Sequence, residues 1–407
     1  VSLVTARESR PVVVAGAGPT GLMCALALAR QNIPVIVLEA EPALTHDLRA
    51  GSYHPPTMEM MAPYGITAAM HETGIRVPNW QVRNREGDRV AQFDLGLLAD
   101  VTPYPYRLHL EQHRVTPIQY DILRRETGAE VRFGRRIAGF EQHADHVTVT
   151  IDAGGTTETI DAAWLIGCDG GRSTVRKELG TLFDGFTWPE QFLVVSTTHD
   201  LAPHGFTPNA YVADISEWAA IFKMPDTGPP GLWRVVFPAS TDLTDDEILA
   251  PAGVEARMQY FVPKRGPYEI KYKSIYRVHQ RVAADWHVGR VLLAGDAAHL
   301  NNPLGAFGLN SGIHDAINLA DKLGQVYRGE ADATLLDLYV RQRRHATVQQ
   351  VQTMSIRNKK LLEERDPAVQ RKNLEDLVET ANDPARARDY LLNTTMINGL
   401  KAANAIA

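Results

Sequence analysis

Cysteine is scarce in this chain: two residues in 407, Cys24 and Cys168, both inside apolar runs. Two cysteines cannot build a disulfide framework, so we expect buried thiols and a reducing, cytoplasmic location. Long apolar runs are also missing, because no stretch approaches the ~18 residues of a membrane span, and no signal-peptide pattern is visible. The formal net charge of -6 argues against a nucleic-acid partner. We therefore expect an ordinary globular protein without membrane or nucleic-acid binding.

Histidine pairs with metal-ligand spacing and a Ser-His-Asp arrangement are absent as well, so we expect neither a metal site nor that hydrolytic triad. The chain is long enough for two intertwined domains. Its C-terminal part is rich in Arg, Glu and Gln, which is typical of helices. The composition does not separate a monomer from a homodimer, and both stay open.

A glycine motif follows directly on a predicted strand near the N-terminus. Residues 11–15 are rich in β-branched side chains, residues 16–21 read Gly-Ala-Gly-Pro-Thr-Gly, and apolar residues then recur at helical spacing. In this context GxGxxG predicts dinucleotide binding, because its glycines allow a tight turn, a close approach of the pyrophosphate and close helix–strand packing. The helix N-terminus faces the phosphates. The predicted contacts are Gly16, Gly18, Pro19, Thr20 and Gly21.

A carboxylate stands at the end of the next predicted strand. Residues 35–38 are apolar and lead to Glu39 and Ala40. A carboxylate about 20 residues beyond the glycines accepts a hydrogen bond from a ribose 2′-OH and would repel a 2′-phosphate. This site therefore suits FAD or NAD rather than NADP.

A second glycine-bearing segment lies far along the chain. Residues 291–294 predict a buried strand that ends in Gly-Asp at 295–296, and a breaker-rich loop over 301–308 follows. Ligands of open α/β sheets bind beyond such strand ends. A helix is predicted to start near Leu309 and Asn310, where its N-terminus would stabilise negative charge on a reduced flavin. An ordinary loop with Asp296 as a helix cap is the alternative. Together the two segments favour one long cofactor, FAD, held at both ends.

A third motif makes a family resemblance visible. Residues 168–176 read Cys-Asp-Gly-Gly-Arg-Ser-Thr-Val-Arg, between the GxGxxG motif and the Gly-Asp motif. In order and spacing the three motifs resemble those of group A flavoprotein monooxygenases, the aromatic hydroxylases of the p-hydroxybenzoate hydroxylase type. The resemblance implies the α/β class, with a Rossmann-like FAD-binding domain interleaved with a β-sheet substrate domain. Its implied bounds are 1–72, 107–180 and 277–330 for the FAD-binding domain, 73–106 and 181–276 for the substrate sheet, and 331–407 for C-terminal helices.

The resemblance also implies individual cofactor contacts. They are Glu39 and Ala40 at the adenosine ribose, Arg49 on the FAD backbone, Gln112 at the flavin, Asp169 in a motif that serves FAD and NAD(P)H, Asp296 on the ribityl chain, Pro303 and Gly305 beside the isoalloxazine, and Leu309 and Asn310 at the pyrimidine edge. One departure is visible. Residues 305–308 read Gly-Ala-Phe-Gly where the family usually has a second proline and Gly-Gln-Gly, so the reactive loop is less polar.

The implied reaction is a monooxygenation. In the resembled family NADH or NADPH binds transiently and reduces the flavin, after which O2 forms a C4a-hydroperoxide that hydroxylates an aromatic ring. No second GxGxxG follows a strand, which agrees with a transient nicotinamide. Residues 104–106, 183–188, 231–235 and 276–281 look like hydroxylases of para-substituted phenols and hydroxypyridines, such as p-nitrophenol monooxygenases and 6-hydroxy-3-succinoylpyridine hydroxylases. Such enzymes hydroxylate the substituted carbon and expel the group.

Ionising the substrate is the chemical difficulty that selects the catalytic candidates. A phenol of pKa about 10 is only about a thousandth ionised at pH 7, so a positioned hydrogen-bond partner or base is needed. Tyr211 aligns with the family tyrosine that hydrogen-bonds a phenolic oxygen, although strand packing is its alternative role. His54 is an acid/base or substrate candidate, and Pro303 is the third catalytic candidate. His299 is expected to be structural.

Four more substrate contacts are predicted on the same sheet: Phe222, Met224, Trp233 and Arg234. The p-hydroxybenzoate pattern has a serine and a carboxylate-binding arginine on the strand of the first two, so a benzoate held in that manner is argued against. Arg234 either binds an anionic group of the substrate or is an arginine that is paired or solvated.

Two other function classes stay open. One is an FAD-dependent oxidoreductase of different outcome, a double-bond reductase or a halogenase, although the halogenase Trp-x-Trp-x-Ile-Pro motif is absent. The other is a non-enzymatic FAD module that signals its redox state, for which a large substrate sheet would be unnecessary. NADH oxidation with a panel of phenols separates these classes.

Overall fold

Four β-sheets carry the part of the chain that the structure, a computed structural model, describes: residues 10–46, 50–85 and 87–407. The strands within these ranges are β1 (Val12–Ala15), β2 (Val35–Glu39), β3 (Ser52–Tyr53), β4 (Ile75–Val77), β5 (Asn79–Arg83), β6 (Arg89–Asp94), β7 (Arg107–His109), β8 (Ala129–Phe133), β9 (Arg136–Gln142), β10 (Val147–Asp152), β11 (Thr157–Ala162), β12 (Trp164–Gly167), β13 (Phe183–Thr197), β14 (Asn209–Val212), β15 (Ala219–Met224), β16 (Leu232–Ser240), β17 (Ile270–Ala283), β18 (His287–Val288), β19 (Val291–Leu293) and β20 (His299–Leu300).

Helices connect the strands and form the C-terminal region. They are α1 (Pro19–Ala29), α2 (Pro55–Met61), α3 (Ile66–Thr73), α4 (Gln112–Leu123), α5 (Thr174–Glu178), α6 (Asp245–Ile248), α7 (Pro251–Phe261), α8 (Phe307–Tyr327), α9 (Leu335–His345), α10 (Thr353–Glu363), α11 (Pro367–Asn382), α12 (Pro384–Thr394) and α13 (Ile397–Asn404). A π-helix, Ala346–Gln352, joins α9 to α10, and short 3₁₀ turns cover Ala62–Tyr64, Leu95–Leu98, Ala202–His204 and Gly295–Ala297.

The six-stranded sheet has the order β18-β19-β12-β1-β2-β8, and only β18 runs antiparallel to its neighbour. Strand β1 lies inside it, with Val12 opposite Val35 on one side and Trp164 on the other. The valines of β1 are fully buried, as expected for a parallel sheet that helices cover on both faces. The glycine turn therefore follows an inner strand at its carboxyl end, where ligands of such sheets bind.

The eight-stranded sheet has the order β20-β17-β13-β16-β15-β14-β5-β6, and its strands pair antiparallel except for β14 with β5. Trp80 and Tyr211 lie in an apolar cluster that also contains side chains of α10, α11 and α12. Trp233 lies in a separate cluster with side chains of α7. Because successive side chains of a strand point to opposite faces, the sheet separates these two cores.

The two large sheets share segments of the chain. All strands of the six-stranded sheet fall within the segments predicted for FAD binding. Strand β17, however, runs across the predicted boundary at 276–277, and β20 joins the large sheet from within a predicted FAD segment. The predicted domain bounds stay predictions, but continuous strands couple the two regions.

The predicted fold class, α/β with a mixed sheet region and C-terminal helices, is confirmed. Helix α8 begins at Phe307, slightly before the predicted start at Leu309. The chain turns just before this helix. Gly305 and Ala306 have positive φ values of 105° and 60°, which extended backbone does not adopt. Within the described ranges, no helix combines the length and the apolar character needed to cross a membrane.

Candidate active site

The three sequence motifs meet in space. Thr20 at the start of α1 packs against the distal motif so closely that a Cβ on Gly295 would lie 2.8 Å from its Oγ1. Arg176, from the third motif, donates from Nη1 to the carbonyl of Ala297 at 2.9 Å and from Nη2 to that of Gly171 at 2.8 Å. Segments far apart in sequence therefore form one continuous wall at the strand ends.

The N-terminal turn has the geometry that a dinucleotide pyrophosphate needs. Gly16 has φ 94°, and a Cβ there would lie 2.7 Å from the Cys168 carbonyl oxygen. A Cβ on Gly18, by contrast, would meet no described atom within 4 Å, so this glycine faces open space. The first turn of α1 lacks a side-chain cap among the described residues, which leaves its N–H groups available to an anion. These residues fit the phosphates of FAD.

Two carboxylates of the predicted cofactor site also accept hydrogen bonds from backbone N–H groups. Glu39 accepts a hydrogen bond from the N–H of Ala17 at 2.7 Å, so its side chain lies against the glycine turn. Asp169 accepts the backbone N–H groups of Thr174 and Val175 at 2.7 and 3.1 Å. The second carboxylate therefore caps α5 and shapes the motif from inside.

The N-terminus of α8 is tied to strand β3. The Asn310 amide donates from Nδ2 to the Ser52 carbonyl, and its Oδ1 accepts the backbone N–H of His54, both at 2.9 Å. Asn310 is fully buried, so this exchange fixes the helix start against the strand. Asp296 is exposed in the short turn that follows β19, and Arg49 lies outside the described residues.

A chain of buried amides holds the loop at 301–306, which we call the flavin loop. Gln280 Oε1 accepts the N–H and the side-chain amide of Asn302 at 3.1 and 3.3 Å, and Asn302 Oδ1 accepts the N–H of Leu304 at 3.1 Å. On the other side, Gln352 of the π-helix donates to the Leu300 carbonyl at 2.9 Å. No sequence motif points to this support, because its members come from three distant segments.

A buried ion network supports the distal motif from behind. Asp315 accepts the N–H of Gly295 at 3.0 Å, His299 Nε2 at 2.8 Å and Arg343 Nε at 2.7 Å. Burial alone would raise the pKa of Asp315, but Arg343 and His299 outweigh it and lower that pKa to about 2. The carboxylate is thus ionised at neutral pH and fixes the turn that presents Asp296. His299 occupies the structural position that was predicted.

Replacing Asp315 by asparagine is expected to lower the free energy of unfolding by about 3–5 kcal/mol, because Arg343 is left buried without its counter-ion. Urea unfolding of the holoenzyme measures the loss. Asp100→Asn is the matched control, since Asp100 pairs with Arg388 at the surface and solvent screens that pair. Equal losses in both variants would contradict the assigned role of the network.

A cavity lies between the large sheet, the flavin loop and the C-terminal helices. Its lining combines aromatic and aliphatic side chains with few polar groups, as small-molecule sites do. The lining residues are Trp80, Val82, Arg107, Tyr211, Gly305, Phe307, Asn358, Leu361, Leu362, Tyr390 and Thr394. The structure brings Tyr211 and Gly305 together here, as predicted candidates, and adds residues from segments that carried no motif.

Tyr211 lies beside two groups that favour its ionised form, the Arg107 guanidinium and the backbone N–H of Gly305. Burial raises the pKa of Tyr211, although both of these donors act to lower it. A tyrosine hydroxyl carries one proton that it can donate, and Tyr211 lines the cavity where a ligand would accept it.

Arg107 is a buried cation whose donors are only partly used. The residue is 3% exposed, and its Nε and Nη1 have no hydrogen-bond partner in the described part of the chain. Burial lowers the pKa of Arg107, but a guanidinium stays protonated at neutral pH. No described carboxylate forms an ion pair with Arg107. Unused donors on a buried charge are costly, and an anionic ligand in the cavity would remove that cost.

His54 completes the polar groups near the cavity. Its Nε2 lies 2.9 Å from the Gly305 carbonyl oxygen, and a carbonyl only accepts, so Nε2 carries the proton. Burial, together with Arg107, holds the pKa of His54 well below its usual value. The ring stacks on Phe307 at 5.7 Å between centroids, and Nδ1 has no partner among the described residues. His54 is therefore a neutral imidazole with a free acceptor.

The other predicted substrate residues divide between the faces of the sheet. Phe222 meets Tyr211 edge-on at 6.1 Å, and Arg234 is buried on the same face. Met224 Sδ lies 3.0 Å from where a Cβ on Gly51 would be. Trp233 points to the opposite face, where its indole N–H donates to Asp200 at 2.8 Å. The structure does not bring Trp233 to the cavity, because neighbouring strand residues alternate.

The FAD binding domain family matches residues 9–355 of this chain. The chain belongs to this family. Para-nitrophenol 4-monooxygenase of Pseudomonas sp. (strain WBC-3) is 35% identical over 389 residues, 95% of this chain and 96% of that protein. 6-Hydroxy-3-succinoylpyridine 3-monooxygenase of Pseudomonas putida is 32% identical over 345 residues, 84% of this chain and 86% of that protein. The crystal structure of p-nitrophenol 4-monooxygenase from Pseudomonas putida DLL-E4 superposes with a TM-score of 0.91 at 32% identity, covering 96% of this chain and 98% of that one.

These similarities decide between the function classes left open by the sequence. The chain is a flavin-dependent aromatic monooxygenase, and the resemblance to the p-hydroxybenzoate hydroxylase type is confirmed. The prediction of FAD as its cofactor is confirmed as well. The roles given to individual residues stay predictions, which the geometry now makes specific enough to test.

Proposed function

We propose that this FAD-dependent monooxygenase hydroxylates the ring of a phenol or hydroxypyridine that is bound as its anion, with NADH or NADPH as reductant and O2 as oxidant. We include hydroxylation at a para-substituted carbon with loss of the substituent, as the relatives' substrates suggest. The observation that carries the proposal is Arg107 beside Tyr211: a buried cation with unused donors and a phenolic hydroxyl line the same cavity. An ionised ring oxygen matches both groups.

The chain's own residues divide the work at that oxygen. The Arg107 guanidinium supplies positive charge, and the Tyr211 hydroxyl donates a hydrogen bond, so both favour the ionised form of the substrate. His54 stays neutral, and its Nδ1 offers a hydrogen-bond acceptor near the cavity. The bound flavin supplies electron transfer from the nicotinamide and the activation of oxygen.

Water exclusion is the second task of the cavity. Trp80, Phe93 and Tyr390 stack on one another, with ring centroids of Trp80 and Phe93 4.8 Å apart and of Phe93 and Tyr390 4.6 Å apart. This aromatic wall is buried on the cavity side of the sheet. An apolar enclosure strengthens the electrostatic attraction between Arg107 and an anion, because the local dielectric constant is low.

The proposal predicts that a substrate controls the oxidation of the nicotinamide. The purified chain is expected to be yellow with non-covalently bound FAD and to oxidise NADH or NADPH slowly on its own. A phenolic or hydroxypyridine substrate is expected to accelerate flavin reduction in stopped-flow measurements, and product analysis should show a hydroxylated ring. Equal reduction rates with and without every phenol of a broad panel, and no hydroxylated product, would overturn the proposal.

Cofactor binding is tested separately at Asp296. Asp296→Ala is expected to weaken FAD binding by about 10- to 150-fold, since a hydrogen bond to a charged group contributes about 1.5–3 kcal/mol. Fluorescence titration of the apoprotein with FAD measures the dissociation constant. Asp321→Ala is the control, because Asp321 is an exposed carboxylate farther along α8. An unchanged dissociation constant in Asp296→Ala would remove this residue from the FAD site.

A further inference from the structure

The C-terminal helices supply nearly half of the cavity lining. Five of the eleven lining residues lie beyond residue 355, where the family match ends. Asn358, Leu361 and Leu362 come from α10, and Tyr390 and Thr394 come from α12. The shared FAD-binding part of the chain therefore builds the anion-binding side of the cavity, and a segment outside it builds the remaining wall.

This C-terminal wall is fixed firmly to the sheet. Lys359 is 1% exposed and donates to Glu190 of β13 at 2.7 Å. The Tyr390 ring stacks on aromatic residues of the neighbouring strands, as described above. A wall held in this way keeps its shape, so it can discriminate between ligands by size.

The chemistry of the wall complements that of the strands opposite it, β7 with Arg107 and β14 with Tyr211. Leu361 and Leu362 offer aliphatic surface, whereas Arg107 and Tyr211 offer charge and a proton. Asn358 donates from Nδ2 to the Leu304 carbonyl at 3.3 Å, which attaches the wall to the flavin loop. An aromatic anion with its ionised oxygen at Arg107 has to place the rest of its ring and its substituents against this wall.

Resting on the proposed function, we propose that α10 and α12 select the ring substituents of the substrate, with Leu362 as the residue that limits their size. Leu362 is 2% exposed and belongs to the same apolar cluster as Leu377 of α11, which is 6% exposed. Only Leu362 lines the cavity. The two leucines therefore form a matched pair: truncation of each creates a void in the same core, but only one void opens to the ligand.

The test compares Leu362→Ala with Leu377→Ala as FAD-loaded enzymes. The substrates are 4-nitrophenol and 4-nitrophenols carrying methyl, isopropyl or tert-butyl groups at the 2- or 3-position. In Leu362→Ala the ratio of kcat/KM for the best bulky phenol to that for 4-nitrophenol is expected to rise by at least about 10- to 200-fold, the range for a single methylene in an apolar pocket, because the substitution removes three carbons. In Leu377→Ala the ratio is expected to stay constant.

Calorimetric binding of the same phenols to each holoenzyme keeps this proposal separate from the proposed function. A wild-type enzyme that turns over neither these phenols nor any of a panel of hydroxypyridines would defeat the proposed function, while the binding ratios would still test the wall. FAD content and thermal melting check folding, and Leu361→Ala, at a half-buried position, replaces Leu362→Ala if that variant does not fold. A constant ratio in the cavity variant, or an equal shift in Leu377→Ala, would overturn the proposal.

Discussion

Replacing Arg107 by methionine is expected to abolish most of the affinity for a phenolate while leaving FAD bound. The variant removes the only buried cation placed beside Tyr211 in the described cavity. Truncating one partner of a buried charge pair costs about 2–5 kcal/mol, so the substrate dissociation constant and kcat/KM should change about 30- to 4000-fold. Calorimetric binding of 4-nitrophenol and steady-state kinetics measure the two quantities.

The stability of the same variant should move differently. Without ligand, the wild-type enzyme carries the desolvation cost of a guanidinium whose Nε and Nη1 lack partners. Methionine keeps an unbranched apolar stem, so the free energy of unfolding of the ligand-free holoenzyme should be equal or higher. Arg76→Met is the control, since Arg76 is exposed on neighbouring β4. Unchanged phenol binding, or a loss of stability of several kcal/mol, would speak against an anion site at Arg107.

Tyr211→Phe is expected to bind FAD normally and to be reduced by NAD(P)H, yet to lose most of its hydroxylation. General acid–base assistance is worth about 10²–10⁴-fold, so the rate of product formation should fall by that order and more hydrogen peroxide should appear per NAD(P)H consumed. Raising the pH should partly restore hydroxylation, because solvent then ionises the phenol. Coupling efficiency measured against pH in both enzymes tests this.

If Tyr211 only packs in the sheet, Tyr211→Phe should show only modest, pH-independent changes in the rate of hydroxylation. Phenylalanine keeps the ring contacts with Trp80 and Phe222, so the free energy of unfolding should fall little. Tyr268→Phe is the comparison: that hydroxyl donates to the Val262 carbonyl at 2.5 Å in the core on the other face of the sheet. The Tyr268→Phe variant should have a lower free energy of unfolding but an unchanged coupling efficiency. If Tyr211→Phe hydroxylates as efficiently as the wild type, the tyrosine leaves the mechanism and His54 becomes the next candidate.

The cofactor motifs were predictable because their physics is local. A tight turn with φ 94° at Gly16 and a carboxylate at the end of the next strand are encoded within a few dozen residues. The meeting of this turn with Gly295 also followed from the sequence, since a single FAD spans both motifs. The start of α8 was predicted to within one turn, and the left-handed turn at Ala306 accounts for the difference.

The cavity could not be predicted in the same way. Arg107 lies in a short strand that carries no motif. Its role is indicated by the lack of hydrogen-bond partners for Nε and Nη1 among the described residues, which only the folded chain shows. Tyr390 and Leu362 reach the site through the packing of late helices on the sheet. Adjacent Trp233 and Arg234 were both predicted at the site, but strand alternation sends them to opposite faces, and the sequence pattern alone did not decide which face is which.

The ionisation state of the bound substrate tests the central claim most directly. Difference absorbance spectra of 4-nitrophenol on the holoenzyme, recorded as a function of pH, give the pKa of the bound phenol beside that of the free phenol. We expect the bound phenol to ionise at a clearly lower pH than the free one in the wild type, and this difference to disappear in Arg107→Met. Binding of the neutral phenol, with a pKa equal to or above that of the free phenol, would contradict the account.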